Sequence, residues 1–319
     1  MSLDAALLDV RNLRVEYLTA RGPVGAVDGV SFTVKPGEVV GLAGESGSGK
    51  STIAHAILRI LRPPALITGG EVLFAGRDTL KMEDAELENF RWSNISIVFQ
   101  SAMNALNPVM RVREQLLDVM QHHGFPEEEA NRRAAQLFDL IGIEPRRLDS
   151  YPHELSGGMR QRAVLAIALA INPDLVILDE PTTALDVVVQ KDILHQIARL
   201  REALGLSILF ITHDLSLLVE FSSRILIMYA GELVENAPAH ELFDHPLHPY
   251  TIGLMNSFPS ISGEKRKLTG IPGSPPDLAA PPAGCRFHPR CPKAMPICSQ
   301  TVPVMKTVSA EHSVACHLY

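Results

Sequence analysis

Gly44, Glu45, Ser46, Gly47, Ser48, Gly49, Lys50 and Ser51 fit the spacing G-x-x-x-x-G-K-[ST], set between the apolar run EVVGLA and the helical run TIAHAILRIL that begins at Thr52. Glycines at these points let backbone N–H groups turn inward around phosphate oxygens. Lys50 then balances charge on the β- and γ-phosphates, and the Ser51 hydroxyl is placed to ligate Mg²⁺. A Gly/Ser-rich surface turn has a similar composition, but here the strand before and the helix after complete the phosphate motif. Farther along, LVILDE closes a second apolar run on Asp179 and Glu180. Asp179 suits the Mg²⁺ shell and Glu180 suits an attacking water. An isolated Asp-Glu pair at a strand end is ordinarily a solvated turn, whereas one paired with a phosphate loop upstream reads as catalytic.

A second group of reactive side chains closes the chain. All four cysteines, Cys285, Cys291, Cys298 and Cys316, fall in the last 35 residues with spacing C-x5-C-x6-C-x17-C. That pattern lacks the close pair of structural zinc sites and also differs from the tight ferredoxin run, so spacing leaves the metal open. His288, His312 and His317 are reserve ligands for zinc. So short a tail has too little apolar content to fold by itself, which argues for a cross-link.

The elements that must position these residues can be read from periodicity. NLRVEY, AVDGVSFTV, EVVGLAG, EVLFAG and ISIVFQ are short, rich in Val, Ile and Phe, and bounded by Gly or Pro, which predicts strands. From Arg111 to about Ile143 the period becomes helical: Ala130, Ala134, Leu137, Phe138 and Ile141 share one face, behind Pro126 and three glutamates. LVILDE and SILFITH are strands around a helix bearing Ile193, Ile197, Leu200 and Leu204, and strand, helix, strand implies a parallel sheet with covered faces. Ile271 to Gly284 carries five prolines in fourteen residues and reads as a stiff linker.

Composition narrows the class. The chain has 319 residues, 46% of them hydrophobic and 20% charged, as expected of a globular α/β domain with an appendage. A net charge of -7 gives no broad basic field, which argues against nucleic acid as a partner. The longest apolar run, Ala163 to Ile171, is half the length of a membrane span, and the first residues lack a basic, signal-like region. The chain is therefore expected in the cytoplasm, where thiols stay reduced and cysteines read as ligands before disulfides.

LSGGMRQR, beginning Leu155, Ser156, Gly157, Gly158, Met159, decides among phosphate-loop enzymes. It resembles the signature of ATP-binding-cassette (ABC) ATPases, and the family's other parts stand around it in order. Tyr17 resembles the aromatic that stacks on adenine, Gln100 the glutamine that senses Mg²⁺ and the γ-phosphate, and His213 the switch histidine. Ala184, Leu185 and Asp186 match the loop after the catalytic glutamate. Singly, each has a plainer explanation in packing or a polar strand end; the ordered set covers about Leu8 to Glu235.

The resemblance implies an α/β P-loop ATPase: a mostly parallel core sheet, an antiparallel β subdomain, a helical insertion at about 101–165, and a small cysteine-rich extension. The nucleotide-binding domain would span 1–235, a helix plus Pro-rich linker 236–284, and the extension 285–319. Ser156, Gly157 and Gly158 precede a helix expected from about Met159 to Ala170 and form an anion site away from the chain's own phosphate loop. In the family two such domains meet head to tail, each signature closing on the other's ATP.

FQSAMNALNPVMRV, HPLHPYT and the cysteine tail resemble the oligopeptide/dipeptide importers, which also move nickel and some oligosaccharides. Implied partners are a second, unlike ABC ATPase subunit, two transmembrane permease subunits and an extracytoplasmic solute-binding protein. The implied place is the cytoplasmic face of the inner (plasma) membrane, peripheral through the permeases. In those ATPases four such cysteines ligate a 4Fe-4S cluster, with zinc as the alternative here. Competing readings are a soluble ABC ATPase of the DNA-repair or translation type, which usually has a long coiled-coil insertion or two cassettes, and a redox-sensing module whose tail is the functional part.

Overall fold

The structure, a computed structural model, describes residues 5–100, 105–181, 187–257, 270–309 and 311–319. The chain divides into two compact units: Met1–Val34, Val39–Leu80 and Phe210–Tyr319 form the first, and Lys35–Glu38 with Lys81–Leu209 the second.

The first unit opens with strands β1 (Leu8–Thr19), β2 (Gly22–Val34) and β3 (Val39–Ala43), helix α1 (Lys50–Ile57), and strands β4 (Ala65–Phe74) and β5 (Arg77–Asp78). The VSFTV stretch of β2 buries Val30, Phe32 and Val34 and turns the residues between them outward, the period-two pattern of a half-covered sheet. Strands β2, β1, β4 and β5 make an antiparallel four-stranded sheet in that order. By contrast, all five residues of β3 are buried, as its unbroken apolar sequence requires.

The second unit contains α2 (Asp84–Ser93), β6 (Ile95–Val98), α3 (Val112–His122), α4 (Glu127–Leu140), α5 (Gly157–Ala168), β7 (Leu175–Asp179) and α6 (Val187–Leu204). Helix α4 begins after Pro126 with Glu127, Glu128 and Glu129 in its first turn, where carboxylates meet the positive end of the helix dipole. Its inner face, Ala130, Ala134, Leu137 and Phe138, is fully buried. Burying Leu137 and Phe138 contributes roughly 1.5–3 kcal/mol each before packing losses. Strands β6 and β7 are parallel, with Val98 opposite Leu178. Ile193, Ile197 and Leu200 of α6 are at most 3% exposed, as its periodicity predicts, whereas Leu204, expected on the same side, is only half-buried.

With β8 (Ser207–Ile211) the chain returns to the first unit, which continues as α7 (Leu215–Phe221), β9 (Arg224–Tyr229), β10 (Glu232–Pro238), α8 (Ala239–Asp244), α9 (Pro249–Met255), β11 (Lys306–Ser309) and β12 (His312–Val314). Here β3 runs parallel to β9, and β10, β12 and β11 follow in antiparallel order. The β9–β10 hairpin is not among the strands expected from sequence, although RILIMY is an apolar run and Ala230-Gly231 is its turn, with φ values of 48° and 89°. Strands β11 and β12 are likewise unforeseen. Their few apolar residues acquire meaning only against β10.

Candidate functional site

The phosphate loop leaves β3 and enters α1, as its sequence requires. Gly49 is the N-cap of α1 at φ 103° and has no side chain with which to occupy the helix N-terminus. A Cβ at Gly49 would lie 2.2 Å from the Ala26 carbonyl oxygen, and one at Gly44 would lie 2.2 Å from that of Met228. These two glycines are therefore required by close backbone approach as well as by φ. Lys50 is 6% exposed, and its Nζ donates to the carbonyls of Gly44 at 2.8 Å and Glu45 at 2.9 Å. Ser51 and Thr52 begin the helix behind it. The Tyr17 hydroxyl on β1 stands 3.4 Å from Thr52 Oγ1, which places the predicted adenine-stacking ring beside the start of α1.

In the second unit, the parallel register of β6 and β7 carries Gln100 and Glu180 out of their strand ends together. Gln100 Nε2 donates to Glu180 Oε2 at 2.8 Å. Glu180 adopts φ 48°, a left-handed conformation uncommon outside glycine and one that redirects the chain as it leaves β7. Asp179 beside it is only 3% exposed.

Ser156 is the N-cap of α5 and its Oγ accepts the Met159 N–H at 3.3 Å, so the helix begins at Gly157, two residues earlier than expected, and ends at Ala168. Helix geometry leaves the N–H groups of Gly157 and Gly158 without intrahelical partners, and Leu155 anchors the segment as a buried side chain. His213 is exposed beyond buried Thr212, so it is not a core histidine. The next residue, Asp214, caps α7 by accepting from the Ser216 and Leu217 N–H groups. Ala184, Leu185 and Asp186 lie outside the described residues.

The cysteine tail departs from expectation in two ways. First, the sequence separates it from the phosphate loop, but within the first unit the two are in direct contact. Arg290, between Cys285 and Cys298, meets the Glu45 carboxylate at 2.7 and 3.0 Å, and the Tyr250 hydroxyl accepts the Glu45 N–H at 2.8 Å. Phe287 packs edge-on against Tyr229 at 5.2 Å. The apolar support that the tail lacks by itself thus comes from β9 and α9. Neither arginine spacing nor hydrophobic pattern marks Arg290; its neighbours in the cysteine run are the only signal in the sequence.

Second, the metal readings gain no support. All four cysteines are free thiols. Among the described residues, no group of three or more His, Cys, Asp or Glu is arranged to hold a metal ion. A single zinc would need its thiolates converging within about 2.3 Å of one point. Nor do the reserve histidines turn to such a point: His312 Nε2 pairs with Glu235 Oε1 at 2.8 Å, His288 Nδ1 with the Cys285 carbonyl at 2.9 Å, and His317 Nε2 with the Thr301 carbonyl at 2.8 Å. The thiols still influence one another. Burial, and then the charges of Cys298, Cys316 and Cys291, push the Cys285 thiol up to about 11.

Known proteins resemble this chain in sequence and fold. Residues 27–183 match the ABC transporter family and residues 234–298 match the oligopeptide/dipeptide transporter C-terminal region. The dipeptide transport ATP-binding protein DppD of Caldanaerobacter subterraneus subsp. tengcongensis is 41% identical over 316 residues, covering 98% of this chain and 97% of that protein. The oligopeptide transport ATP-binding protein OppD of Bacillus subtilis is 44% identical over 314 residues, covering 97% and 87%. The dimeric structure of MJ0796, a bacterial ABC transporter cassette, is similar with TM-score 0.64 and 31% identity, over 73% of this chain and 98% of that one.

Proposed function

Since the chain belongs to the ABC transporter family, among the ATP-binding subunits of its oligopeptide/dipeptide branch, we propose that it hydrolyses ATP to power import of peptides or a related solute. The observation that carries this is near-complete alignment with dipeptide and oligopeptide transport ATP-binding proteins, through the C-terminal region as well as the cassette. A soluble repair or translation ATPase would not be expected to share that C-terminal region.

Lys50 and the loop backbone from Gly44 to Thr52 hold the phosphates, and Tyr17 stacks on the base. Mg²⁺, when bound, neutralises charge on the β- and γ-phosphates; Ser51, Gln100 and Asp179 are the residues assigned to it. Glu180 accepts a proton from the attacking water while Gln100 orients its carboxylate, and His213 contacts the γ-phosphate. Ser156, Gly157, Gly158 and Met159 serve the ATP of a second ATPase subunit, an unlike chain, in a head-to-tail dimer; the MJ0796 cassette was solved as a dimer. Ala184, Leu185 and Asp186 are assigned to that same interface.

No described helix is long and apolar enough to cross a membrane. As in the relatives' importer family, attachment to the cytoplasmic face is assigned to two permease subunits, with a solute-binding protein outside. Membrane fractionation that disappears when the permeases are deleted supports this reading, and fractionation that persists without them overturns it.

The four cysteines are assigned a 4Fe-4S cluster. Cys285, Cys291, Cys298 and Cys316 are the residues that would hold it. The family resemblance supports this assignment. Anaerobic purification with assays for iron, acid-labile sulfide and zinc decides it: four irons and four sulfides per chain are expected, and a colourless protein with one zinc refutes it.

A further inference from the structure

The N–H and the carboxylate of Glu45 in the phosphate loop are held from outside the loop, and its carbonyl from within it. Its N–H donates to the Tyr250 hydroxyl on α9, its carbonyl accepts from Lys50 Nζ, and its carboxylate takes both ends of the Arg290 guanidinium. Arg290 is 9% exposed. Its Nε donates to the Pro272 carbonyl at 2.9 Å and one terminal nitrogen reaches the Tyr229 hydroxyl at 3.3 Å, so the guanidinium is fixed before it meets Glu45. Pro275, Pro276 and Leu278 line a small cavity together with Glu45, Ser46, Gly47 and Ser48. The Pro-rich segment is thus a strap laid along the phosphate loop. A second arginine of the tail works one step removed. Arg286 grips Asp28 and the Ala230 carbonyl, and the adjoining Gly231 N–H donates to the Ser48 carbonyl at 3.0 Å.

The loop needs such outside support. Gly44, Gly47 and Gly49 give it a soft backbone at φ 152°, 78° and 103°, and a Cβ at Gly47 would meet nothing within 4 Å. Phosphate binding by a backbone cradle depends on N–H groups held in place beforehand. Bidentate carboxylate pairing by a planar, always charged fork is the geometry that fixes direction as well as distance.

We propose that Arg290 is a positioning residue for nucleotide binding: through Glu45, the C-terminal extension sets the shape of the phosphate loop. The inference rests on the reading of Gly44 to Ser51 as the ATP site. It gives the extension an effect on the ATPase that does not depend on what the cysteines hold.

The test titrates a fluorescent ATP analogue with Mg²⁺ into the full-length protein and its variants Arg290→Gln, Arg290→Lys, Glu45→Gln, the Arg290→Gln/Glu45→Gln double variant, and Lys50→Ala. Each single change at the pair is expected to weaken binding on the order of tenfold, the usual scale of coupling between two sites. The double variant is expected to be little worse than either. Arg290→Lys, which keeps charge but loses the fork, should behave like Arg290→Gln. Should Arg290→Gln fail to fold, Glu45→Gln and Arg290→Lys carry the same comparison. Unchanged affinity in the folded Arg290 variants, or effects that multiply in the double variant, overturns the inference while leaving the ATP site standing. Unchanged affinity in Lys50→Ala removes the ATP-site reading and the inference with it.

Discussion

The Gln100 amide and the Glu180 carboxylate, 80 residues apart in sequence, share a 2.8 Å hydrogen bond across the ends of two parallel strands. An amide donor on one carboxylate oxygen fixes the orientation of the other, the one that would face a water. Glu180→Gln is expected to lower kcat by about 10² to 10⁴, or roughly 3 to 5 kcal/mol of barrier, while ATP binding survives. Gln100→Ala frees the carboxylate and should lower kcat less than Glu180→Gln does. Steady-state hydrolysis by the assembled transporter checks both, and near wild-type turnover in Glu180→Gln removes it as the base.

Tyr17 has two potential contributions that separate cleanly. Its hydroxyl meets Thr52 Oγ1 at 3.4 Å, a long bond, while its ring is the stacking surface. Tyr17→Phe should leave the KM for ATP nearly unchanged. Tyr17→Ala should raise KM more than it lowers kcat, since stacking on a base is worth about 1 to 3 kcal/mol. Equal KM values in Tyr17→Ala and wild type would return the ring to a packing role.

Gly49→Ala should be far more harmful than its size suggests. The new methyl would sit 2.2 Å from the Ala26 carbonyl at φ 103°, so backbone must move on one side or the other. Strain of this kind costs on the order of 1–3 kcal/mol before any displacement of the loop. Loss of nucleotide binding with a lowered melting temperature is expected. Wild-type values for both would show that the loop tolerates a Cβ there.

His248 makes the first unit sensitive to acid. It is 1% exposed, and its Nδ1 accepts the Tyr250 N–H at 3.0 Å, so the ring is neutral, and burial pulls it down to about 4. The unfolded chain takes up that proton near pH 6.5, the folded chain only near 4. Stability from this group is thus complete above pH 6.5 and is lost as pH falls through that window, by about 3 kcal/mol in all. Urea melts of wild type and His248→Asn, which keeps a capping acceptor, measure it. An unchanged pH slope in the variant would place the sensitivity elsewhere.

Legibility in the sequence followed the range of the interaction. The phosphate loop, the α4 face and the LVILDE strand are local patterns, each readable from a window shorter than twenty residues and each found where expected. The two residues of the Gln100–Glu180 pair were both singled out, but their contact depends on a strand register that periodicity does not specify. The tail escaped for the opposite reason to disorder. Its cysteines stand out in the sequence but its packing residues do not: Phe287, Arg290 and Val314 become buried only against β9, β10 and the phosphate loop. The metal expectation rested on the resemblance of the cysteine tail to that of the importer ATPases, with spacing leaving the metal open, and neither sets which way a side chain points.

The pairing of β12 with β10 has a consequence for how the molecule is made. Val314 lies opposite Glu235, and Arg290 and Arg286 reach back to Glu45 and Asp28, so the part of the first unit around the nucleotide loop acquires these contacts only after residues 286 to 314 have been synthesised. Contacts of such long sequence separation form slowly, because loop closure precedes any gain from them. During synthesis, β9 and β10 therefore wait with an open edge while some seventy residues are still to emerge, the interval in which such edges pair wrongly. A nascent chain halted before Arg286 is accordingly a candidate for chaperone capture rather than a smaller working ATPase.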